Sequence, residues 1–354
     1  IIMSNKANYS MSLAKPDAQN LPVKQKIAVL LGIIGLFILC LSLLNTDFPN
    51  KALFLALALG LIAIGTILFT NHAYLTKLEG IKNDGVWFKS ISSRGMLGWI
   101  TGIVLTSFYI VLYFYPQFLG LDSNGNSNTG LVILFDPLSY LLSGQPASQW
   151  FVYGTLYTLA ILVFGYKFML KYRHNRYEQL RTASVMFFQL GFAFLIPEFM
   201  ARLNESPQYN LPYYDLKSMW PLNYYLFDSW SINGFLSSGT LGLSLLIFGV
   251  LSIFVVSPIL TYKYGKRWYC SWVCGCGGLA ETAGDSFRQL SSKKLSAWKL
   301  ERWLIHVVLV FVVVMTTAVI YTYLGYDPNK YWLTKDLFLL LVGGFLTLVF
   351  ALVM

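Results

Sequence analysis

Residues 241–281 read LGLSLLIFGVLSIFVVSPILTYKYGKRWYCSWVCGCGGLAE, an apolar run that ends in a basic, aromatic segment carrying three cysteines. The apolar part belongs to a span over 235–260, and a helix needs about 20 such residues to cross a hydrocarbon core of about 30 Å. Cys270, Cys274 and Cys276 follow within seven positions, and the chain's only other cysteine is Cys40. Two questions set the reading. One is what kind of fold puts three thiols at the mouth of an apolar helix, and the other is what those thiols bind.

The rest of the composition answers the first question. The 354 residues are 56% hydrophobic and 12% charged, with a mean hydropathy of +0.57. A soluble domain carries roughly 25% charged residues, so the chain reads as an all-α integral membrane protein. A β-barrel would show alternating segments of about ten residues, and the apolar stretches here are uninterrupted. Eight spans are expected in a polytopic bundle, at 27–44, 52–70, 96–115, 150–170, 183–200, 235–260, 303–324 and 337–354. The first Met stands at position 3, and the last span stops at "LTLVFALVM". We therefore expect a truncated eighth helix and a piece of a longer protein.

Lys and Arg fall on alternate connections, as the rule that positive loops stay inside requires. Four precede span one, four lie between spans two and three, five surround the loop after span four, and eight lie between spans six and seven. That makes 21 of 26. The N-terminus and the cysteine loop are thus expected in the cytoplasm of a multi-pass protein in a bacterial inner membrane. The net charge of +10 reflects this asymmetry and contact with anionic lipid, and leaves no basis for nucleic-acid binding. The chain divides into a cytoplasmic tail (1–26), a six-helix membrane region (27–260), a cysteine loop with an interfacial helix (261–302) and a final helix pair (303–354). Two connections are expected outside. In 116–149, "FDPLSYLLSGQ" suggests a short helix on the outer interface, and 201–234 is an aromatic cap.

Reduced, clustered thiolates are soft ligands for zinc, copper(I) or iron–sulfur clusters. No histidine stands near enough to complete a zinc tetrahedron, and a disulfide is disfavoured in a reducing compartment. Thiol–disulfide chemistry and purely structural thiols remain as alternatives. An iron–sulfur cluster takes four thiolates. The spacing Cys-x3-Cys-x-Cys gives three, so the fourth is expected outside this segment, and Cys40 amid Leu and Phe reads as core packing. Gly275, Gly277 and Gly278 would let backbone approach an inorganic core. Lys266 and Arg267 would favour thiolates, Trp268, Tyr269 and Trp272 would shield them, and a helix starting near Leu279 would add its positive end.

The segment "YGKRWYCSWVCGCGGLAE" resembles the polyferredoxin-like membrane proteins of the NosR/NapH type. In them a helix end carries Cys-x3-Cys-Pro in an aromatic setting. Cys270, Trp272 and Cys274 match, whereas Gly275 replaces the proline and Cys276 is an added thiol. The family's second Cys-x3-Cys-Pro and its ferredoxin-type motifs do not occur in this sequence. The resemblance covers roughly residues 235–354. It implies [4Fe-4S] clusters that pass single electrons between the quinone pool or a flavin and an acceptor, with redox partner proteins. The competing class is a transporter or soft-metal-handling protein that captures metal ions on Cys270, Cys274 and Cys276.

The remaining polar residues have plainer readings. His72 and His174 are placed in basic loops and His306 near the inner end of span seven, as interfacial histidines rather than haem ligands. Glu198 is expected to pair with Arg202 four residues on. Glu281 and Asp285 are expected to charge the first turn of a helix after the thiols.

Overall fold

The computed structural model of the chain describes residues 22–46, 48–75, 96–121, 127–204, 206, 210–211, 229–265, 268–285, 294–324, 337 and 340. Among them there is no strand. The helices are α1 (Val23–Leu43), α2 (Lys51–Tyr74), α3 (Met96–Phe114), α4 (Gly130–Leu142), α5 (Gln149–Lys171), α6 (Arg176–Leu203), α7 (Ser229–Ser237), α8 (Gly239–Tyr264), α9 (Trp268–Trp272), α10 (Gly275–Thr282) and α11 (Leu295–Leu324). Five of these, α1, α2, α5, α6 and α8, are long and apolar enough to cross a membrane. The chain is an all-α membrane protein. Spans three and seven of the sequence reading fall within α3 and α11. All of the span at 337–354 but residues 337 and 340, the pair Lys266–Arg267, most of the tail 1–26 and most of the aromatic connection 201–234 lie outside the described residues.

Helix starts are set by local chemistry. Free N–H groups of a first turn need acceptors, and short polar side chains provide them. Asn50 accepts from Leu53 N at 3.1 Å, Ser148 from Phe151 N at 3.2 Å, and Asn175 from Tyr177 N at 3.1 Å. At the end of α1, Asn45 takes a left-handed backbone with φ 59°, a role that asparagine tolerates.

Two units divide the chain, one of residues 1–89 and 109–286 and another of residues 90–108 and 287–354. In the first, α1 and α2 form a hairpin whose backbones meet through small residues. A Cβ on Gly35 would stand 2.6 Å from the Ala58 carbonyl oxygen, and one on Gly65 2.6 Å from that of Ala28. Apolar side chains gain little from leaving lipid for another apolar surface, so close backbone contact between small residues drives such pairing.

The helix α4, expected as a short interfacial helix, packs one face into the unit. Val132, Leu134 and Phe135 are fully buried, and Ser42 Oγ of α1 donates to the Gly130 carbonyl at 2.8 Å. Asp136 of α4 binds Asn128 Nδ2 and Ala147 N, each at 2.9 Å, which folds the flanking loops onto the helix. Arg202 of α6 donates to the carbonyls of Tyr140 and Leu141 at the end of α4 and not to Glu198. The carboxyl of Glu198 interacts with Ser143. Unsatisfied carbonyls at a helix end attract the guanidinium more than an exposed pair four residues away, worth at most about 1 kcal/mol.

In the second unit, residues 295–324 run as one helix, with no break at 303 between an interfacial piece and a span. No Gly or Pro interrupts "LSAWKLERWLIH", and its Leu, Lys, Glu and Arg are good helix formers.

Candidate functional site

The thiols lie on two short helices that follow α8. Gly265, with φ 88°, turns the chain out of α8. Within α9, Trp268 is buried and its indole N–H donates to Thr261 Oγ1 at 3.1 Å. The amides of Val273 and Cys274 both donate to the Tyr269 carbonyl at 2.9 Å, which closes α9 and leaves Cys274 extended as the residue capping α10. The helix starts at Gly275, one turn earlier than the position near Leu279 read from the sequence.

Contacts along α5 and α6 trace the path of this segment. The Trp272 carbonyl accepts from Ser184 Oγ at 2.8 Å. Gly275 abuts Tyr157, Ile161 and Gln189, and Gly278 abuts Val185. Beyond these, Glu281 meets Arg181, and Asp285 meets Lys171 and Tyr172. The chain therefore descends beside α6, turns near Gly275 and climbs back as α10. Tyr157 stands about 20 Å along α5 from Lys171, at 1.5 Å per residue. The sequence reading puts the thiols at a helix mouth; the structure carries the Cys274–Cys276 turn along α5 to the level of Tyr157, with Cys274 half-buried and Cys276 still exposed.

The glycines explain the depth. A Cβ on Gly275 would stand 2.4 Å from Gln189 Oε1, one on Gly277 2.0 Å from the Cys270 carbonyl oxygen, and one on Gly278 2.2 Å from Val185 Cγ1. No side chain fits at any of them. They serve close packing of α10 on α5, α6 and α9, a use the sequence reading assigned to approach by an inorganic core. Gln189 sits at the start of a π-helical stretch, Phe188–Leu195, which turns its amide inward to donate to Thr158 Oγ1 at 3.2 Å. Such π bulges recur at functional sites.

Ion pairs clamp the returning limb. The Arg181 guanidinium lies 2.6 Å from both Glu178 and Glu281. Lys171 pairs with Asp285, the two side chains being 9% and 3% exposed, and the Tyr172 hydroxyl donates to the same carboxylate at 3.0 Å. Glu281 and Asp285 thus anchor α10 to α5 and α6 rather than charging a first turn.

Cys270 and Cys276 are exposed, Cys274 is half-buried, and no disulfide joins them. Among the described residues no three of His, Cys, Asp and Glu stand together as a metal-binding group. Cys270 belongs to α9, and its backbone rests on Gly277. The donor set fits an iron–sulfur cluster in kind. It has three thiols on one segment, the positive start of α10, and the Tyr157 hydroxyl, buried without a hydrogen-bond partner beside Cys276. It falls short in number. Cys40, in α1, is exposed on an apolar helix and remote in sequence. His72 falls in the last turn of α2 rather than in a loop, His174 is exposed in the turn between α5 and α6, and His306 is exposed on α11.

Sequence reasoning missed Tyr157, Gln189 and Ser184, and it read Lys171 and Arg181 as topology signals alone. Gln189 could have been found, because a polar amide inside "MFFQLGFAF" is costly in lipid unless it has a partner. Tyr157 carries no such mark among the many tyrosines.

Residues 246–297 match the family model of a 4Fe-4S binding domain, which covers α9, α10 and all three thiols. Neither a curated protein nor a solved structure matches the chain. The match supports an iron–sulfur protein.

Proposed function

We propose that this protein is a membrane-bound electron carrier of the NosR/NapH type that passes single electrons through a [4Fe-4S] cluster at the thiol segment. Cys270 and Cys274 supply ligands, Cys276 is the third candidate, and a residue outside the described segment closes the shell. The observation that carries this reading is the coincidence of the 4Fe-4S family match with the three thiols. The bound cluster supplies a one-electron couple. The chain supplies a fixed cradle: the Arg181–Glu281 and Lys171–Asp285 pairs hold α10 in place. Little movement on electron transfer is the expected consequence of that clamping.

The thiol segment faces the cytoplasmic side of a bacterial inner membrane in this proposal, because Lys and Arg concentrate on its connections. A quinone or flavin and a redox partner protein stand at the two ends of the electron path. Anaerobic reconstitution with iron and sulfide, followed by low-temperature EPR of the reduced protein, tests the reading. A [4Fe-4S] signal with matching iron and sulfide content is expected. Stoichiometric zinc with no iron–sulfur signal would show a soft-metal-handling protein instead.

A further inference from the structure

The hydroxyl of Tyr157 is an anomaly in a well-packed region. It is buried, yet it makes no hydrogen bond. An unsatisfied buried hydroxyl is costly, and the neighbouring Gln189 amide is already engaged, donating to Thr158. The ring lies over the backbone joining Cys274 to Cys276, with Cε1 2.9 Å from where a Gly275 Cβ would stand. Tyr153 stacks on it, with ring centroids 5.2 Å apart and planes at 23°. The ring is thus held from both sides. The groups in interaction range of the hydroxyl are Cys276 first, and then Tyr153 and Cys274.

We infer that Tyr157 is the hydrogen-bond donor from α5 to the sulfurs of this site and a positioning residue that sets its potential. The inference rests on the iron–sulfur reading above. Donors to cluster sulfurs draw off electron density and favour the reduced form, and such bonds tune the potentials of iron–sulfur centres. The acceptor this hydroxyl faces in the chain is the Cys276 thiol, a weak acceptor as a thiol and a stronger one as a charged sulfur of a bound cluster.

Tyr157→Phe removes the donor and keeps the ring. In the reconstituted protein the variant should retain wild-type iron content. Its midpoint potential should move to more negative values, and the shift of Fe–S vibrations on exchange into deuterium oxide, read by resonance Raman, should shrink. Tyr153→Phe should change neither. In the cluster-free protein Tyr157→Phe should leave the Tm unchanged or higher, because no protein hydrogen bond is lost. An unmoved potential and deuterium shift, or a lowered Tm of the cluster-free variant, overturns the role of Tyr157. Absence of any iron–sulfur signal from the wild-type chain is a different result and overturns the reading on which that role rests.

Discussion

The α1–α2 hairpin and the α5–α6–α10 cluster are both built from apolar helices, and they cohere for opposite reasons. The hairpin helices have mean hydropathy of 2.6 and bury 17% of their most apolar windows, whereas α5 has 1.4 and buries 44%. The hairpin is held by glycine backbone contacts and turns most of its side chains outward. The cluster is held by buried carboxylates, cations, hydroxyls and an amide. The other wall of the cluster, α6, buries only 17% yet is nearly as low at 1.5, because its first turns carry the charged and polar residues that clamp the returning limb. The two helices that support the candidate site are therefore the least conspicuous of the five.

Substitutions at four places break or sharpen this contrast. The largest effect is expected at the thiols: Cys270→Ser or Cys274→Ser should abolish cluster occupancy, read as lost iron and lost EPR signal after reconstitution. Next is Asp285→Asn, which strands Lys171 in a buried position. Breaking such a pair costs about 3–5 kcal/mol, so the Tm in detergent should fall and protease should cut within 268–285. The double variant Lys171→Met with Asp285→Leu should recover much of the loss. Gly65→Leu attacks the hairpin instead, because its Cβ would meet the Ala28 carbonyl oxygen at 2.6 Å. Overpacking of this kind costs about 1–3 kcal/mol. The Tm should drop while iron content stays at the wild-type level, which separates the two regions. Cys40→Ser should have the smallest effect and leave iron content unchanged; a loss there would place a ligand in α1.

The sequence was a good guide wherever lipid exposure decides structure. Five of the expected spans are long apolar helices, and α3 and α11 contain two more. It was a poorer guide where interior packing decides. "FDPLSYLLSGQ" has the look of a surface helix, yet its Phe135 is fully buried and Ser139 nearly so. Burial there depends on which helices close over it, and no local pattern encodes that. The same holds for Arg202, which spacing assigns to Glu198 and tertiary structure gives to α4. At the site, the iron–sulfur class, which the 4Fe-4S family match supports, was legible from residue type and spacing. The depth of the segment was not, because it follows from glycine contacts with Gln189, Val185 and Cys270.

Chain order adds a consequence for biogenesis. Helices α5 and α6 are synthesised before α10, so the receptor is already inserted when the cysteines leave the ribosome. Arg181 and Lys171 then capture Glu281 and Asp285 as the returning limb emerges, so the thiol segment folds against a wall that is already built. Cys270 and Cys276 stay exposed once these pairs have closed, so loading of the proposed cluster does not require the two ion pairs to reopen.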